Sequence, residues 1–541
     1  MGSRPGYLRP TGLKCFTDRD EEAAINWPGV SSTAIRVAAI DLGASNGRVV
    51  VGEGSGRGFT LHEVSRFANH PRPVGGVLRW DARALFAGIL DGLYTAASQA
   101  GPLDAVAVDG WAVDYGLLDG DGALIADPVN YRDPRTGPPF AAITGTPGGV
   151  AGVDAARLYA ATGIAAQPIN TVFQLMAERG SEQLRAARHV LLVPDLMTYW
   201  LSGQLGTELT NASTTGLLDP RTMTWATEVA DALGVPAGLF PPLRAAGQLA
   251  GPMSGPMTDP MGGTMSGRVA AGLGQDRPPM VVIGPSHDTA AAVAGVPAAD
   301  AAFAFVCTGT WTVAGVELPT PVITGASREA GFSNEAAIDG STRFLRNVTG
   351  FWLLQECVSQ WQSDGMHVDL DELTRAAGRL PGLRALIDVQ DPGFAAPGQM
   401  TQRIIRACLR TSGVAPSGRA EMLRCILDSM AVAIRHAVHD AVRITGHAVR
   451  TVHIVGGGVA NPLFCQLVAD ACGLPAVAGP TEAASWGNVL VQARALGQAG
   501  PTLPELRSLV RRGVHLTSYR PDGQEAAWAR ADEIVLGSRD G

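Results

Sequence analysis

The chain has 541 residues, 46% of them hydrophobic, and a formal net charge of −8. Because domains commonly hold roughly 100–200 residues, this length predicts at least two large domains. The acidic balance is spread along the chain and argues against nucleic-acid and membrane partners. Lys14 is the only lysine, which excludes a P-loop, a protein-kinase strand lysine and a pyridoxal Schiff base from the folded body.

Residues 1–34 are predicted to form a disordered N-terminal extension, because they lack an apolar signal region and regular patterning starts at Ile35. No uninterrupted apolar run reaches about 18 residues, so no transmembrane helix is predicted. The seven cysteines show no CxxC pair or zinc spacing, which is typical of scattered thiols in a reducing compartment. We therefore expect a cytoplasmic enzyme.

The first half of the chain alternates apolar runs with glycine-rich turns. In chain order the patterns predict a strand and turn at 35–43, its hairpin partner at 48–54, a buried strand at 104–110, a hairpin with an Asp-Gly turn at 115–126, a helix at 171–187, a strand continuing into a helix at 191–203, and a Met/Gly/Pro-rich surface loop at 251–267.

The first half ends with a predicted strand, turn and helix at 279–296. The second half repeats this style of organisation: its patterns predict two strands joined by a Gly turn at 301–318, a long helix at 418–446, and a strand, triple glycine and helix at 451–472. Each half carries a β-hairpin whose turn contains Gly with Ser or Thr. We infer two α/β units that meet near residues 296–301.

Two hairpin turns are candidate phosphate sites. In the turn from Asp41 to Arg48, glycines allow close approach and consecutive N–H groups can bind an anion. Asp41 can hold Mg²⁺, directly or through water, because hard cations prefer oxygen ligands. Thr308 to Trp311 forms the corresponding turn of the second half. An ordinary β-turn is the alternative in both cases.

Two further segments end strands and begin helices. Gly456 to Gly458 can admit a nucleotide against the backbone, or can serve tight strand–helix packing. Asp288 follows an apolar strand, where ligands of α/β proteins bind. It can accept the proton of an attacking hydroxyl in phosphoryl transfer; the alternatives are an N-cap for Asp288 and simple packing for His287.

These elements together resemble the FGGY family of carbohydrate kinases over about residues 35–500. The resemblance is carried by AAIDLGASNGR, VDGWAVDYGLLD, NYRDPRT, PINTVFQL, LLVPDLMTYWLSG, ELTNASTTGLLDP, SHDTAAAV, TGTWTVAGVE, RFLRNVTGFWLLQE, VHIVGGGVAN and AGPTEAASWGN. It implies an α/β fold of two actin-like (ribonuclease H-like) domains, each a mixed sheet flanked by helices, with a cleft between them. The sugar-side domain would span 35–296, the nucleotide-side domain 297–500 and a C-terminal tail 501–541.

The resemblance also implies roles for individual residues, with ATP and Mg²⁺ as cofactors. Asp288 would be the catalytic base, and Asp41 would act through the metal. The phosphates of ATP would contact Ala44, Ser45, Asn46, Gly47, Arg48 and Thr310, and the nucleotide would be lined by Gln355, Gly456, Gly457 and Gly458. The sugar would meet Ala112, His287, Asp288, Thr289 and Asn347.

Within the family the pattern is most similar to kinases of L-rhamnulose, with one departure at the expected site; the long extension and the Met-rich loop also depart from the pattern, but away from it. The subfamily pattern Trp-Gly-Val-Asp is here Trp-Ala-Val-Asp, with Ala112 in place of the glycine that lies against the sugar. We therefore expect phosphorylation of a ketose, L-rhamnulose first; the alternatives are another sugar such as L-fuculose or xylulose, or a catalytically silent sugar or nucleotide sensor. The expected partner is a small-molecule sugar, and the sequence does not indicate an oligomeric state.

Overall fold

A computed structural model describes residues 33–254, 277–309, 311–394 and 396–538. Residues 1–32 of the N-terminal extension, for which disorder was predicted, lie outside the described residues. Thr310 and most of the predicted loop at 251–267 also lie outside them.

Strands and helices alternate along the described chain. The strands are β1 Ile35–Leu42, β2 Asn46–Ser55, β3 Gly58–Ala68, β4 Arg72–Val74, β5 Val77–Arg79, β6 Ala105–Gly110, β7 Tyr115–Leu118, β8 His189–Leu192, β9 Thr207–Glu208, β10 Leu218–Asp219, β11 Thr224–Trp225, β12 Leu243–Arg244, β13 Leu249–Pro252, β14 Met280–Val282, β15 Phe303–Thr308, β16 Trp311–Leu318, β17 Ser333–Ala336, β18 Thr342–Thr349, β19 Thr451–Gly456, β20 Ala476–Ala478 and β21 Thr517–Tyr519. The helices are α1 Ala82–Ala100, α2 Gly137–Thr144, α3 Ala155–Thr162, α4 Thr171–Glu178, α5 Glu182–Ala186, α6 Val193–Ser202, α7 Leu209–Ala212, α8 Thr227–Ala232, α9 Asp288–Ala294, α10 Gly325–Glu329, α11 Trp352–Ser363, α12 Leu370–Gly378, α13 Met400–Thr411, α14 Arg419–Thr445, α15 Pro462–Cys472, α16 Ala483–Ala495, α17 Leu503–Gly513 and α18 Glu525–Gly537.

Two mixed sheets dominate the fold and repeat the same plan. The first has the order β13-β14-β6-β1-β2-β3, and the second β17-β18-β16-β15-β19-β20-β21. In each, an opening hairpin is antiparallel, and the first strand of that hairpin pairs in parallel with a later strand: β1 with β6, and β15 with β19. The predicted α/β class with two similar units is confirmed.

Both faces of the central strands β1 and β6 are buried, which explains why β1 is apolar on both sides. Ala38, Ile40 and Leu42 face the core beneath α1 and α6. Val37 and Ala39 face the opposite core, which α16 and α17 supply from the other end of the chain. Helices α16 and α17 thus cover the second face of the first sheet, although α17 lies in the segment predicted to be a C-terminal tail.

The second sheet in turn receives a helix from the first half. Residues of α9 pack against Phe303, Phe305 and Cys307, while α14 and α15 cover the other face. Helices α9 and α16 cross where glycine allows contact: a Cβ on Gly487 would strike the carbonyl of Ala291. This close crossing fixes the start of α9, and hence Asp288, relative to both sheets.

Two predicted elements differ in the structure. The hairpin at 115–126 forms its Asp-Gly turn and an antiparallel bridge between Leu118 and Leu124, but its second arm is not an extended strand, and β7 also forms a longer antiparallel ladder with β8. The helix at 171–187 divides into α4 and α5, because Gly180 adopts a positive φ of 78° between them. Gly446 ends the long helix α14 in the left-handed conformation, as its position predicted.

Among the described helices, none combines the length and apolar character needed to cross a bilayer.

Candidate active site

A cleft of about 470 Å³ lies between the two sheets. It lies at the carboxyl ends of the parallel strands β1, β6, β15 and β19, the edge where α/β folds bind ligands. The structure brings most of the predicted site residues to this cleft: Asp41, Ala44, Ser45, Asn46, Arg48, Ala112, His287, Asp288, Thr289, Asn347, Gly456 and Gly457.

The turn between β1 and β2 is held rigid from outside the hairpin. Asn69 donates from its side-chain amide to the Gly43 carbonyl at 2.8 Å, and its backbone N–H donates to Ser45 O at 3.1 Å. Arg66 donates to Oδ1 of Asn46 at 2.7 Å. These hydrogen bonds therefore fix the turn and Arg66 where both line the cleft. Asn69 carries no pattern in the sequence that marks it for this task.

Arg48 connects two carboxylates at the floor of the cleft. It donates to Oδ2 of Asp41 from Nε at 2.9 Å and from Nη2 at 2.6 Å, and its Nη1 pairs with Glu482. Burial alone would lower the pKa of the guanidinium, but the carboxylates of Asp41 and Glu482 raise it above its ordinary value. Arg48 therefore stays charged, and Glu482, just before α16, joins the site from the far end of the chain.

A second buried aspartate lies beside Asp41. Asp109 is its register partner on the parallel strand β6 and has no solvent exposure. Asn488 of α16 donates to Oδ2 of Asp109 at 2.5 Å. Burial, reinforced by the charge of Asp41, raises the pKa of Asp109 well above its usual range.

Asp288 is the first residue of α9, and the N-cap position belongs to His287. The side chain of Asp288 is 35% exposed in the cleft, with Oδ1 3.5 Å from Nε2 of His287. Thr289 donates its hydroxyl to the same Oδ1 at 3.1 Å. Burial raises the pKa of Asp288, with Asp41 adding to the rise and His287 opposing it. Asp288 is therefore not the N-cap of α9, which was the alternative interpretation of this residue.

The sugar-side loop after β6 is anchored by Asp114. This fully buried carboxylate accepts hydrogen bonds from the indoles of Trp80 and Trp111 at 2.6 and 3.1 Å, and from the Gln174 amide at 2.9 Å. Burial raises the pKa of Asp114 to about 6. Next to it, Val113 has a φ of +73°, which a β-branched residue rarely adopts. The loop is thus held in a strained conformation at the cleft wall.

The glycines of the second half differ from one another. Gly457 borders open space, since a Cβ there would meet nothing within 4 Å, whereas a Cβ on Gly458 would strike Phe351 and Thr308. The Gly458 N–H instead donates to Oγ1 of Thr308 at 2.8 Å. Gly456 and Gly457 line the cleft, and Gly458 serves packing.

Three predicted site residues lie elsewhere. Gln355 is exposed on α11 and, like Gly47 and Gly458, is not part of the cleft lining. A side chain at position 47 would point at the ring of Phe67 rather than into the cleft. Thr310 lies outside the described residues. The nucleotide and phosphate roles of these residues stay predictions.

Asn347 meets a residue that the sequence analysis did not single out. Its side-chain amide donates to Oε1 of Gln167 at 3.2 Å, and both residues line the cleft. Gln167 comes from the loop before α4, so this contact joins the two halves across the sugar side. Its only signal in the sequence is its position just before the motif that begins at Pro168.

Comparison with known proteins agrees with this architecture. The family models "FGGY family of carbohydrate kinases", N-terminal and C-terminal domains, match residues 36–295 and 304–496. A protein of Bacteroides thetaiotaomicron named rhamnulokinase is 36% identical over 496 residues, covering 91% of this chain and 97% of the relative. A rhamnulokinase of Klebsiella pneumoniae is 35% identical over 488 residues, with 90% and 94% covered.

Among solved structures, a xylulose kinase from Lactobacillus acidophilus superimposes with a TM-score of 0.75 at 16% identity, covering 93% of this chain and 98% of that one. This likeness concerns the fold. The family models and the curated relatives together span most of the chain. The chain therefore belongs to the FGGY family of carbohydrate kinases and is an ATP-dependent sugar kinase.

Proposed function

We propose that this kinase transfers the γ-phosphoryl group of ATP to the O1 hydroxyl of L-rhamnulose, with Asp288 as the general base. The observation that carries the base assignment is the partly exposed carboxylate of Asp288 in the cleft between the sheets. The sugar assignment is supported by the rhamnulokinases that align with this chain over nearly their whole length.

Asp288 suits the removal of a proton from a sugar hydroxyl. A carboxylate in a partly desolvated site is a stronger proton acceptor than one in water, because burial disfavours its charged form. The attacking oxygen forms a bond to the γ-phosphorus while the bond to the β,γ-bridging oxygen breaks, and the proton goes to Asp288. Catalysis then depends mainly on positioning and electrostatics.

The cleft fits a nucleoside triphosphate facing that base. The backbone of the turn at 43–46 lines the cleft, Arg48 and Arg66 lie beside it, each paired with a carboxylate, and Gly457 leaves open space on the second sheet. Asp41 uses Oδ2 for both bonds to Arg48, so Oδ1 is the atom that would hold Mg²⁺, through water. When bound, the ion would neutralise charge on the phosphates of ATP.

A phosphorylation panel tests the proposal. Purified protein with Mg²⁺ and ATP is offered L-rhamnulose, L-fuculose, L-ribulose and both xyluloses, with ADP release and the phosphorylated sugar both measured. We expect the highest kcat/KM on L-rhamnulose and a 1-phosphate product. A clear preference for another sugar would overturn the substrate assignment. Binding of ATP and sugar without turnover of any of them would favour the silent sensor.

A further inference from the structure

The imidazole of His287 lies between Asp288 and a buried ion pair. Its Nδ1 is 3.4 Å from Oε2 of Glu335 and 3.3 Å from Nη2 of Arg343, while Nε2 faces Asp288. Arg343 is completely buried and lies 3.1 Å from the same Oε2 of Glu335. One carboxylate oxygen therefore has two nitrogen neighbours, the guanidinium and the ring.

This arrangement places the imidazole proton on Nε2. The guanidinium of Arg343 can only donate, and its Nη2 lies 3.3 Å from Nδ1, so Nδ1 is the acceptor. Glu335 pairs with Arg343 by charge, since its Oε2 has no hydrogen-bond partner among the described residues. Burial, which would raise the pKa of Glu335, is outweighed by Arg343 and His287, which hold that pKa below its usual value. An ionised Glu335 keeps the guanidinium beside Nδ1, and the Nε2 proton is thereby directed at Asp288 and the sugar space.

The strand that carries Glu335 is fastened to the first half of the molecule. Asn334 donates its backbone N–H to the Gly163 carbonyl at 2.9 Å, and Ala336 donates to Oγ of Ser213 at 2.9 Å. The two residues that flank Glu335 in β17 are thus both bonded to loops of the sugar side. Although β17 belongs to the second sheet, it holds Glu335 at a fixed place relative to His287.

We propose that Glu335, paired with Arg343, is a positioning residue that fixes the tautomer and orientation of His287 beside the base Asp288. The inference rests on the proposed function, because it takes Asp288 as the base and His287 as its neighbour at the sugar. Glu335 lies against Arg343 and the ring rather than the reacting atoms, so it acts through His287. A histidine whose Nδ1 accepts a hydrogen bond from a guanidinium presents its second nitrogen in one protonation form, as N–H.

A double-mutant cycle separates this role from a structural one. We expect Glu335→Gln to lower kcat by about 10–100-fold, less than the loss of about 10⁴-fold seen when the orienting carboxylate of a protease triad is changed, because His287 is not itself the base. Glu335→Asp should recover part of the rate. In a His287→Ala background, Glu335→Gln should cause no further loss in kcat, because the group through which it acts is gone.

The matched control is a second buried pair in the same half. Glu317 lies 2.8 Å from Arg507 and does not line the cleft, so Glu317→Gln should change the melting temperature and leave kcat unchanged. Equal losses of kcat from Glu335→Gln with and without His287 would overturn the inference. So would an unchanged kcat in His287→Ala, or a loss of kcat in the control as large as that in Glu335→Gln.

The cycle is run on whichever panel sugar the wild-type enzyme phosphorylates. Failure of L-rhamnulose as substrate therefore changes the proposed function and leaves the test of Glu335 intact. Conversely, additive effects of the two substitutions would remove Glu335 from the site while the substrate assignment stands.

Discussion

Asp41 and Arg48 face each other across the β1–β2 hairpin, where Arg48 donates two hydrogen bonds to a single oxygen of Asp41. The pairing orients the carboxylate and leaves its other oxygen, Oδ1, without a bond to Arg48. Glu482 holds the far side of the same guanidinium. Asp41 is therefore fixed in orientation, as the metal-holding role proposed for it requires.

Asp41→Asn should weaken the response of the enzyme to Mg²⁺. The amide keeps the size of the side chain but loses its charge, so we expect the Mg²⁺ concentration for half-maximal rate to rise by about 10–100-fold. The measurement is initial rate against free Mg²⁺ at saturating sugar. An unchanged Mg²⁺ dependence, with the fold intact by circular dichroism, would contradict the assignment of Asp41.

Asp288→Asn should lower kcat by about 10²–10⁴-fold, because an amide cannot accept the hydroxyl proton. ATP binding should be largely unchanged, since Asp288 lies on the sugar side with His287 and Thr289. Steady-state kinetics and calorimetry with ATP measure the two quantities. Near-normal turnover in the folded variant would remove Asp288 from the mechanism.

Gly457→Val and Gly458→Val form a contrasting pair. A side chain at 457 would enter open space, so that variant should fold normally and bind ATP more weakly by calorimetry. A side chain at 458 would strike Phe351 and Thr308, so that variant should lose thermal stability. If Gly457→Val bound ATP with wild-type affinity, the nucleotide would not lie against this glycine.

Much of this site was readable from the sequence because its residues follow apolar strands directly. Asp41 follows the apolar run of β1, and Asp288 and Gly457 come soon after β14 and β19, so local patterns identified them. Glu482 and Asn488 could not be recognised in this way. They reach the site through α16, which crosses back from the second half of the chain to pack on the first sheet.

Partners distant in sequence account for the other omissions. Arg343 and Glu335 lie on strands of the second sheet, and their contact with His287 follows only from how the sheets meet. The ladder between β7 and β8, about 70 residues later, was missed for the same reason, although the local turn at 119–122 forms as predicted. Sequence patterns predict elements well and contacts between elements poorly.

A buried carboxylate pair beneath the base predicts a pH dependence of stability. Asp195 lies in α6, accepts the Glu208 N–H at 3.3 Å, and has its pKa raised well above the usual range by burial and then by Glu208. A raised folded-state pKa means that the native state binds the proton more tightly. Its stabilising contribution is complete below the unfolded pKa of about 3.9 and is lost as the pH rises through the folded value.

Asp195→Asn should remove that loss. We expect the variant to be at least as stable as the wild type at pH 8 and to show a shallower fall in the free energy of unfolding from pH 5 to pH 8, with each unit of pKa elevation worth about 1.4 kcal/mol. Urea unfolding across this range is the measurement.

Asp369→Asn is the control of opposite sign. Backbone N–H groups at the start of α12 lower the pKa of Asp369. Its contribution is therefore present above the unfolded pKa and is lost as the pH falls, so this variant should lose stability at pH 7. If Asp195→Asn left the pH profile of the wild type unchanged, the buried pair would not hold the extra proton.

Ala112→Gly addresses the position at the expected sugar site where the chain departs from the pattern of L-rhamnulose kinases. Ala112 lines the cleft between Trp111, which is fixed by Asp114, and Val113, which is held at positive φ. With both neighbours anchored, the loop has little freedom to retreat, so the methyl group occupies space that glycine would leave to the sugar. A methyl-sized change in a pocket alters discrimination by about 1–3 kcal/mol, or roughly 10–200-fold in kcat/KM.

We expect L-rhamnulose to remain the best substrate of both proteins. The kcat/KM of the variant should rise by at most this factor on any sugar of the panel of L-rhamnulose, L-fuculose, L-ribulose and both xyluloses. If the wild type ignored L-rhamnulose and the variant accepted it, the methyl group would set specificity and the proposed substrate would be wrong.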